Sequence, residues 1–594
     1  MIKRWSQITT LSAVALYLIF AAGCVQQNGS SASRQLQGLF ADEWEFAMKE
    51  NPLFATDTGD NRFNDKLPSV SETDIKRRNQ QNRIFLERLL AIDRDKLTPA
   101  ERLNYDVFKR KKEDGLKWFE FQAYLMPVSQ MGGFHTDFAE LPDNVPLNNV
   151  KDYENYIARL NGFEFYARQH IDLMRTGIQR GFVEPRVVLT GIEQSIQAHI
   201  VDEPNNSLLF KPFKKFPKII EQADQIRLTE AGRKAISQSV VPGYKAFLKF
   251  MVDEYIPAAR QDIAASSLPN GRAFYEHCVR SETTLDVTPQ QVHDIGLAEV
   301  NRIKAEMNKL IASRGFENDM NGFVKFLNAS EQSSVRTPQQ LLKELSFVAK
   351  KTDGQLPKLF KTLPRVPFGI KEVPDYLAPK TASAYYMPPA GDGTRAGFFY
   401  INTHDLQSQH LYAMTALSLH ETVPGHHLQI ALQQELKDVP NFRRFSHFTA
   451  FVEGWALYAE RLGLEMDMYD DPNSDFGRLT LEMWRACRLV VDTGIHYFGW
   501  SRDQAIDFMV ENTAMPRQAI QVEVDRYIVW PGQALAYKMG ELKIRELRNL
   551  AEKQLGEKFD IREFHDCILG NGAVPLDVLE NNVKIWIKHK QGGT

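Results

Sequence analysis

The sequence predicts a mainly α protein with one small β-sheet or hairpin beside its functional cleft. Three observations carry this expectation. Long stretches repeat apolar residues at three- and four-residue spacing. Two of them open on Thr-Pro, at 98–99 and 288–289, where threonine caps and proline fits the first turn. Only one segment, 382–403, breaks the helical pattern with β-rich runs. With 43% hydrophobic and 25% charged residues, the 594-residue chain is of ordinary globular composition and long enough for a large core. A net charge of -3 and a pI near 6.6 give no footprint for nucleic acid.

The chain opens with Lys3 and Arg4, an apolar run and then small residues up to Cys24. That order is the layout of a secretory signal over 1–23, and the apolar run is marginal for a bilayer span. Residues 21–24, AAGC, resemble the bacterial lipoprotein box, although Ala21 stands where leucine is preferred. The resemblance implies cleavage before Cys24 and lipid attachment there, and several acyl chains anchor stably where one does not. Residues 24–35 then read as the lipidated cysteine and a flexible polar tether. Val25 lacks the aspartate associated with inner-membrane retention, so an outer-membrane location in the cell envelope is favoured if the cell is Gram-negative. Cys278, Cys487 and Cys567 fit no disulfide framework or zinc ribbon and read as buried thiols.

Beyond the tether, residues 36–130 read as helices, the first stopped by Asn51-Pro52. Residues 150–182, 229–266 and 287–312 are again long and amphipathic. A soft boundary near 267–272 divides an N-terminal helical region, 36–270, from a C-terminal helical region, 271–594, that carries the site. In 382–403, the runs SAYYM and AGFFYIN flank a Pro/Gly/Asp turn and read as a hairpin.

The chemistry-bearing stretch follows at once: LSLHETVPGHHLQ, 417–429. A zinc hydrolase needs two or three imidazole or carboxylate ligands and a further carboxylate to accept a proton from the attacking water. On a regular helix two such histidines stand four apart, but the residue four after His420 is Pro424. His426 would point about 240° away from His420, and His427 would lie about 10.5 Å along the axis. An unbroken helix therefore cannot build the site. Pro424 removes a backbone donor and clashes with the preceding turn, and Gly425 tolerates unusual backbone geometry. A break at 423–425 lets a second histidine return to the first. Glu453, in the apolar stretch FTAFVEGWALYAERLGLEM, is the expected third ligand, since a carboxylate there needs a partner. Glu460, seven residues on, falls on the same face, behind the ligands.

HETVPGHHLQ, FVEGWALYAE and EVDRYIVWPGQALAYKMG together resemble the bacterial DUF885 family, many of whose members are lipoproteins of uncharacterised function. That family is in turn similar to helical gluzincin zinc metallopeptidases, so the resemblance implies a large helical metallopeptidase-like architecture. It implies His420, His426 and Glu453 as ligands of Zn2+, with His427 the alternative, and Glu421 as the proton acceptor. It implies that a tyrosine of a late Arg-Tyr pair steadies the oxyanion: Tyr527 first, Tyr537 in reserve. Arg526, Tyr537, His496 and Asn402 are the candidate substrate contacts, and the strand GFFYINT is expected to offer its backbone to an extended peptide. His135, beside two glycines, reads as a surface-loop residue, with a reach into the cleft from the N-terminal part as the alternative.

The resulting expectation is a lipid-anchored zinc metallohydrolase of small peptides, with no nucleic-acid partner and no specified oligomeric state. Hydrolysis of a non-peptide amide or ester is the alternative chemistry. A metal-containing binding lipoprotein without turnover is the alternative class, and the intact Glu421 argues against it.

Overall fold

The computed structural model describes residues 30–317, 319–329, 335–374, 378, 383–391, 393, 395–406 and 409–592. The signal segment and Cys24 lie outside them. The fold is mainly α. Helix α1 (Ser31–Glu50) starts inside the expected tether: Ser30 accepts a hydrogen bond from the Ser33 amide, and Ser33 in turn bonds Glu101. Serines weaken a helix interior but cap one well, which is why this stretch reads as linker from composition alone. Asn51 ends α1 and caps the next short helix. The Thr-Pro starts form as expected. Thr98 and Glu101 make a reciprocal capping box on α2 (Pro99–Glu120), and Thr288 and Gln291 make another on a helix further on.

Helix α3 (Val150–Arg180) packs on a long rod beginning with α4 (Gln222–Ala235) and α5 (Val241–Phe250). The rod contains two π-helical turns, Ile236–Val240 and Met251–Tyr255. Each stands just before a proline, Pro242 or Pro257, whose missing N–H and ring clash are absorbed by the wider turn.

Helix α6 (Pro289–Ser313) lies along a central helix that is buried nearly all round (Pro472–His496). Two strands of two residues, β1 (Val128–Ser129) and β2 (Gly132–Gly133), form one small antiparallel pair. The second sheet has three strands, β3 (Phe368–Glu372), β4 (Ala384–Met387) and β5 (Gly397–Ile401), in the order β3-β5-β4. β4 and β5 are the expected antiparallel hairpin; β3, parallel to β5, is an addition. Phe399 and Ile401 bury β5 against Leu345, Met414 and Leu417. Because β5 is paired on both sides, GFFYINT has no backbone edge to offer. That expectation is corrected: the outer strand of the hairpin is β4.

The regions on either side of 270 share cores. Leu36, Phe40 and Phe108 join Leu419, Trp455 and Ile544 in one cluster, whereas residues 128–259 also hold a cluster of their own. The earliest helices therefore buttress the C-terminal ones that carry the site. His135 is buried, with Nε2 3.3 Å from the Ser195 hydroxyl, and is not a surface-loop residue.

Candidate metal centre

Helix α7 (Leu411–Glu421) ends at the motif and α8 (His426–Gln434) resumes after it. Between them the Val423–Pro424 peptide is cis. The chain folds back so tightly that a Cβ on Gly425 would lie 1.9 Å from the His420 carbonyl oxygen. Only glycine fits there. The break turns the His426 ring to within 4.7 Å of the His420 ring, centroid to centroid, with the two planes nearly perpendicular.

Helix α9 (Thr449–Leu462) supplies Glu453. It crosses α12 (Ala536–Leu555) at Gly454 and Gly540, where a Cβ on either glycine would meet the opposing backbone within 2.5 Å. This backbone contact fixes the depth of the helix at the residue next to Glu453. The indole Nε1 of Trp455 donates to the Pro424 carbonyl at 2.8 Å, so α9 also holds the break itself.

The three side chains converge. Glu453 Oε2 lies 3.5 Å from His420 Nε2 and 3.4 Å from His426 Nε2. It is buried with no hydrogen-bond partner. Two donors on one tetrahedral zinc, with bonds near 2.1 Å, stand about 3.4 Å apart, so the spacing fits a shared ion. One ligand atom from each residue lies within 4.8 Å of the others, and this is the single such cluster among the described residues. Glu460 Oε1 lies 2.8 Å from His420 Nδ1 and 3.4 Å from Arg485 Nη2. It fixes the ring with Nε2 facing Glu453, as a carboxylate behind a ligating imidazole does. Burial works against a charged His420, but Glu453 and Glu460 outweigh it and lift the imidazole to about 9. The same carboxylates would attract a metal cation, in competition with protons. Burial raises the Glu421 carboxyl above its ordinary range, and Glu453 adds to the rise against the lowering effect of His420 and His426.

His427 is turned away. Its Nε2 donates to the Val366 carbonyl at 3.0 Å and its Nδ1 meets the Tyr386 hydroxyl at 2.8 Å. Burial depresses it to about 4. With both nitrogens committed it is no alternative ligand.

His420, Glu421, His426 and Glu453 line a cavity of about 680 Å³, within the usual range for small-molecule sites. Tyr385 and Tyr386 of β4 form one wall. The opposite wall comes from α10 (Pro472–His496) and α11 (Arg517–Val529), with Trp484, Arg485, Arg488, Glu523 and Arg526, and from Tyr537 at the start of α12. Met131, in the β1–β2 turn, reaches in from the N-terminal half, and His447 from the loop before α9.

Of the expected substrate contacts, Arg526 and Tyr537 line this cavity. Tyr527 does not. Its hydroxyl accepts from Trp484 Nε1 and Arg488 Nε, both at 3.0 Å, and bonds the Glu523 carboxylate, so it braces the wall from behind. His496 is fully buried, accepting from the Ala265 amide and donating to the Tyr527 carbonyl, both at 2.9 Å. Asn402 is buried outside the cavity, donating to the Ala378 carbonyl at 2.7 Å and accepting from the His404 amide at 3.0 Å. Both serve structure, not substrate. Sequence reasoning missed Tyr386, Arg485 and Arg488. The signal for the last two was available: arginines one turn apart on a helix whose other residues, LEMWRACRLVV, are largely apolar.

The sequence matches, over residues 52–583, the family described as "Bacterial protein of unknown function (DUF885)". A solved structure described as "the putative lipoprotein from Colwellia psychrerythraea" is similar at 28% identity and a TM-score of 0.88. The match covers 94% of this chain and 100% of that one. Another, "a putative lipoprotein of unknown function from Shewanella oneidensis", shares the fold at 17% identity and a TM-score of 0.64, over 93% of this chain and 99% of that one. No curated protein matches the chain.

Proposed function

The chain belongs to the DUF885 family, and we propose that it is a zinc-dependent metallohydrolase acting on small peptides, in the manner of the helical gluzincin peptidases. One observation carries the reading: Glu453 Oε2, a buried carboxylate oxygen outside hydrogen-bonding geometry, is held 3.4–3.5 Å from one nitrogen of each of two imidazoles. Without a metal a proton on His420 answers that charge; the spacing suits a divalent cation in its place. His420, His426 and Glu453 would hold the zinc, oriented by Glu460 and the 423–425 break.

Bound there, zinc would supply Lewis acidity to water and to the substrate carbonyl. The protein's own groups do the rest. Glu421, next to His420 and not among the converging ligands, takes the proton of the attacking water. Its raised carboxyl keeps that proton long enough to pass it to the leaving amine. Tyr537 accepts at its hydroxyl from Arg526 Nη2 at 3.0 Å, which leaves its own O–H to donate into the cavity, where an oxyanion would form. β4 and its tyrosines flank an extended substrate.

Among the described residues no helix is long and apolar enough to cross a membrane. The relatives described as lipoproteins, with the AAGC sequence at 21–24, support anchorage in the cell envelope through lipid on Cys24.

Metal analysis of purified protein tests the ligand set. About one zinc per chain is expected, lost in His420→Ala and in Glu453→Ala; unchanged content in both sinks the assignment. Glu421→Gln should retain zinc and lose cleavage of a peptide library, and retained cleavage rejects its role as base.

A further inference from the structure

We propose that the arginine wall of the cavity is a carboxylate-binding subsite, centred on Arg488, so that the substrates are short peptides bearing a carboxylate close to the scissile bond. The inference rests on the hydrolase reading and adds to it a substrate class.

Charge is unbalanced in this wall. Glu523 Oε2 serves two guanidiniums, accepting from Arg488 Nη2 at 3.0 Å and from Arg526 Nη1 at 3.3 Å. The remaining contacts of both arginines are neutral. Arg488 Nε reaches the Tyr527 hydroxyl, and Arg526 Nη2 reaches Gln533 Oε1 and the Tyr537 hydroxyl. Arg488 Nη1 has no hydrogen-bond partner, on a side chain only 2% exposed. Nearby anions are committed elsewhere. Glu460 faces Arg485 and His420, and Asp492 holds the Tyr275 hydroxyl and the Gly532 amide. Two buried positive charges thus share one carboxylate, and a buried charge left over is costly until an anion arrives.

The cavity as a whole agrees. Glu421, Glu453 and Glu523 balance Arg485, Arg488 and Arg526 in its lining, so a divalent ion at the histidines would leave it positive. The Arg488 guanidinium is held between the rings of Trp484 and Tyr537, 4.3 and 4.4 Å from their centroids. A guanidinium fixed in this way offers its unpartnered Nη1 to a carboxylate with little left to order. Arg488 and the converging residues His420, His426 and Glu453 line one cavity of about 680 Å³, so a carboxylate held there lies close to the scissile bond. A free peptide C-terminus and an acidic side chain near it share this chemistry.

Calorimetric titration tests the subsite without turnover, using the full chain with Glu421→Gln. Trialanine, its C-terminal amide, and the amide of Ala-Ala-Glu are the probes. Trialanine should bind at least about tenfold tighter than its amide, as expected for a charge-assisted hydrogen bond. The glutamate-bearing amide separates the two sources: affinity like trialanine's shows that a side-chain carboxylate is accepted as well as the C-terminus, and affinity like the neutral amide's restricts the subsite to the C-terminus. Equal affinity for all three overturns the proposal. Arg488→Lys and Arg488→Met should abolish the preference, and a preference that survives in both folded variants overturns the role of Arg488. The comparison of probes needs no Arg488 variant, so a variant that fails to fold does not decide the matter. A carboxylate preference in protein that neither holds zinc nor cleaves peptides would sink the hydrolase reading and leave the subsite standing.

Discussion

Trp455 donates its indole N–H to the carbonyl of Pro424 across 2.8 Å. The two residues belong to the two halves of the candidate metal site. Pro424 lies in the break that turns His426 inward, and Trp455 is two residues from Glu453 on the helix opposite. The bond therefore ties the position of one candidate ligand to that of another. Trp455 is fully buried, so Trp455→Phe leaves a buried carbonyl without a partner. It should cost about 1–3 kcal/mol in denaturant unfolding and weaken zinc roughly tenfold or more in a chelator competition, as loss of outer support does elsewhere. Unchanged zinc affinity in the folded variant would remove Trp455 from the site's support.

Gly425 makes the same point through sterics. An alanine methyl there would meet the His420 carbonyl at 1.9 Å and the Leu419 carbonyl at 2.4 Å, both backbone atoms that cannot yield without moving His420. Gly425→Ala should destabilise by more than about 4 kcal/mol or abolish soluble protein, and any folded fraction should lack zinc. Gly38→Ala, in the exposed middle of α1 with nothing within 4 Å of the new methyl, is the control. It should be neutral or stabilise by up to about 1 kcal/mol.

The site was legible in the sequence where local rules decide it. Pro424 and Gly425 contradict a continuous helix, and that contradiction located the break; the choice of His426 over His427 came from the family resemblance. Glu453 stood out because a carboxylate in an apolar helix must meet something. What the sequence hid depends on tertiary burial. The apolar run around Arg485 and Arg488 marks them as buried, but only the packing of α10 shows which cavity they line. Tyr527 and Tyr537 are ten residues apart in one motif, and only the turn through Gly532, at φ +84°, puts the second in the cavity and the first behind it. β3 is five residues ending in Lys371 and Glu372, too short and too polar at its end to announce itself as the strand that makes β5 central.

That division of the tyrosines gives a paired test. Tyr537→Phe removes a donor that faces the cavity and should lower kcat on a cleaved peptide by about 10²–10³, the usual cost of an oxyanion donor, with the smaller stability loss of the pair, because Arg526 Nη2 keeps Gln533 Oε1 as a partner. Tyr527→Phe strands the donors of Trp484 and Arg488 in a dry wall and should cost about 1–3 kcal/mol of stability, with a smaller effect on kcat. The reverse pattern, a stable Tyr527→Phe with lost turnover, would return the catalytic role to Tyr527.

Outside the candidate metal centre, Glu184 sets a pH dependence of its own. It is buried, and burial lifts its carboxyl to about 8 against the lowering effect of Arg260. Arg260 offers little direct relief, because its donors go to the carbonyls of Val183, Asp262 and Ala264 and to the Ser267 hydroxyl. The unfolded chain gives up this proton near 4.5 and the folded chain near 8, so between those values the folded state binds more protons. Stability contributed by the protonated carboxyl is therefore complete below about pH 4.5 and is lost as pH rises through 8. Glu184→Gln, which stays neutral at every pH, should match the wild type at pH 4.5 and exceed it by about 2–4 kcal/mol at pH 8, read from denaturant midpoints at the two pH values. A stability difference that does not grow with pH would mean that Glu184 is ionised in the folded protein and has found a partner for its charge.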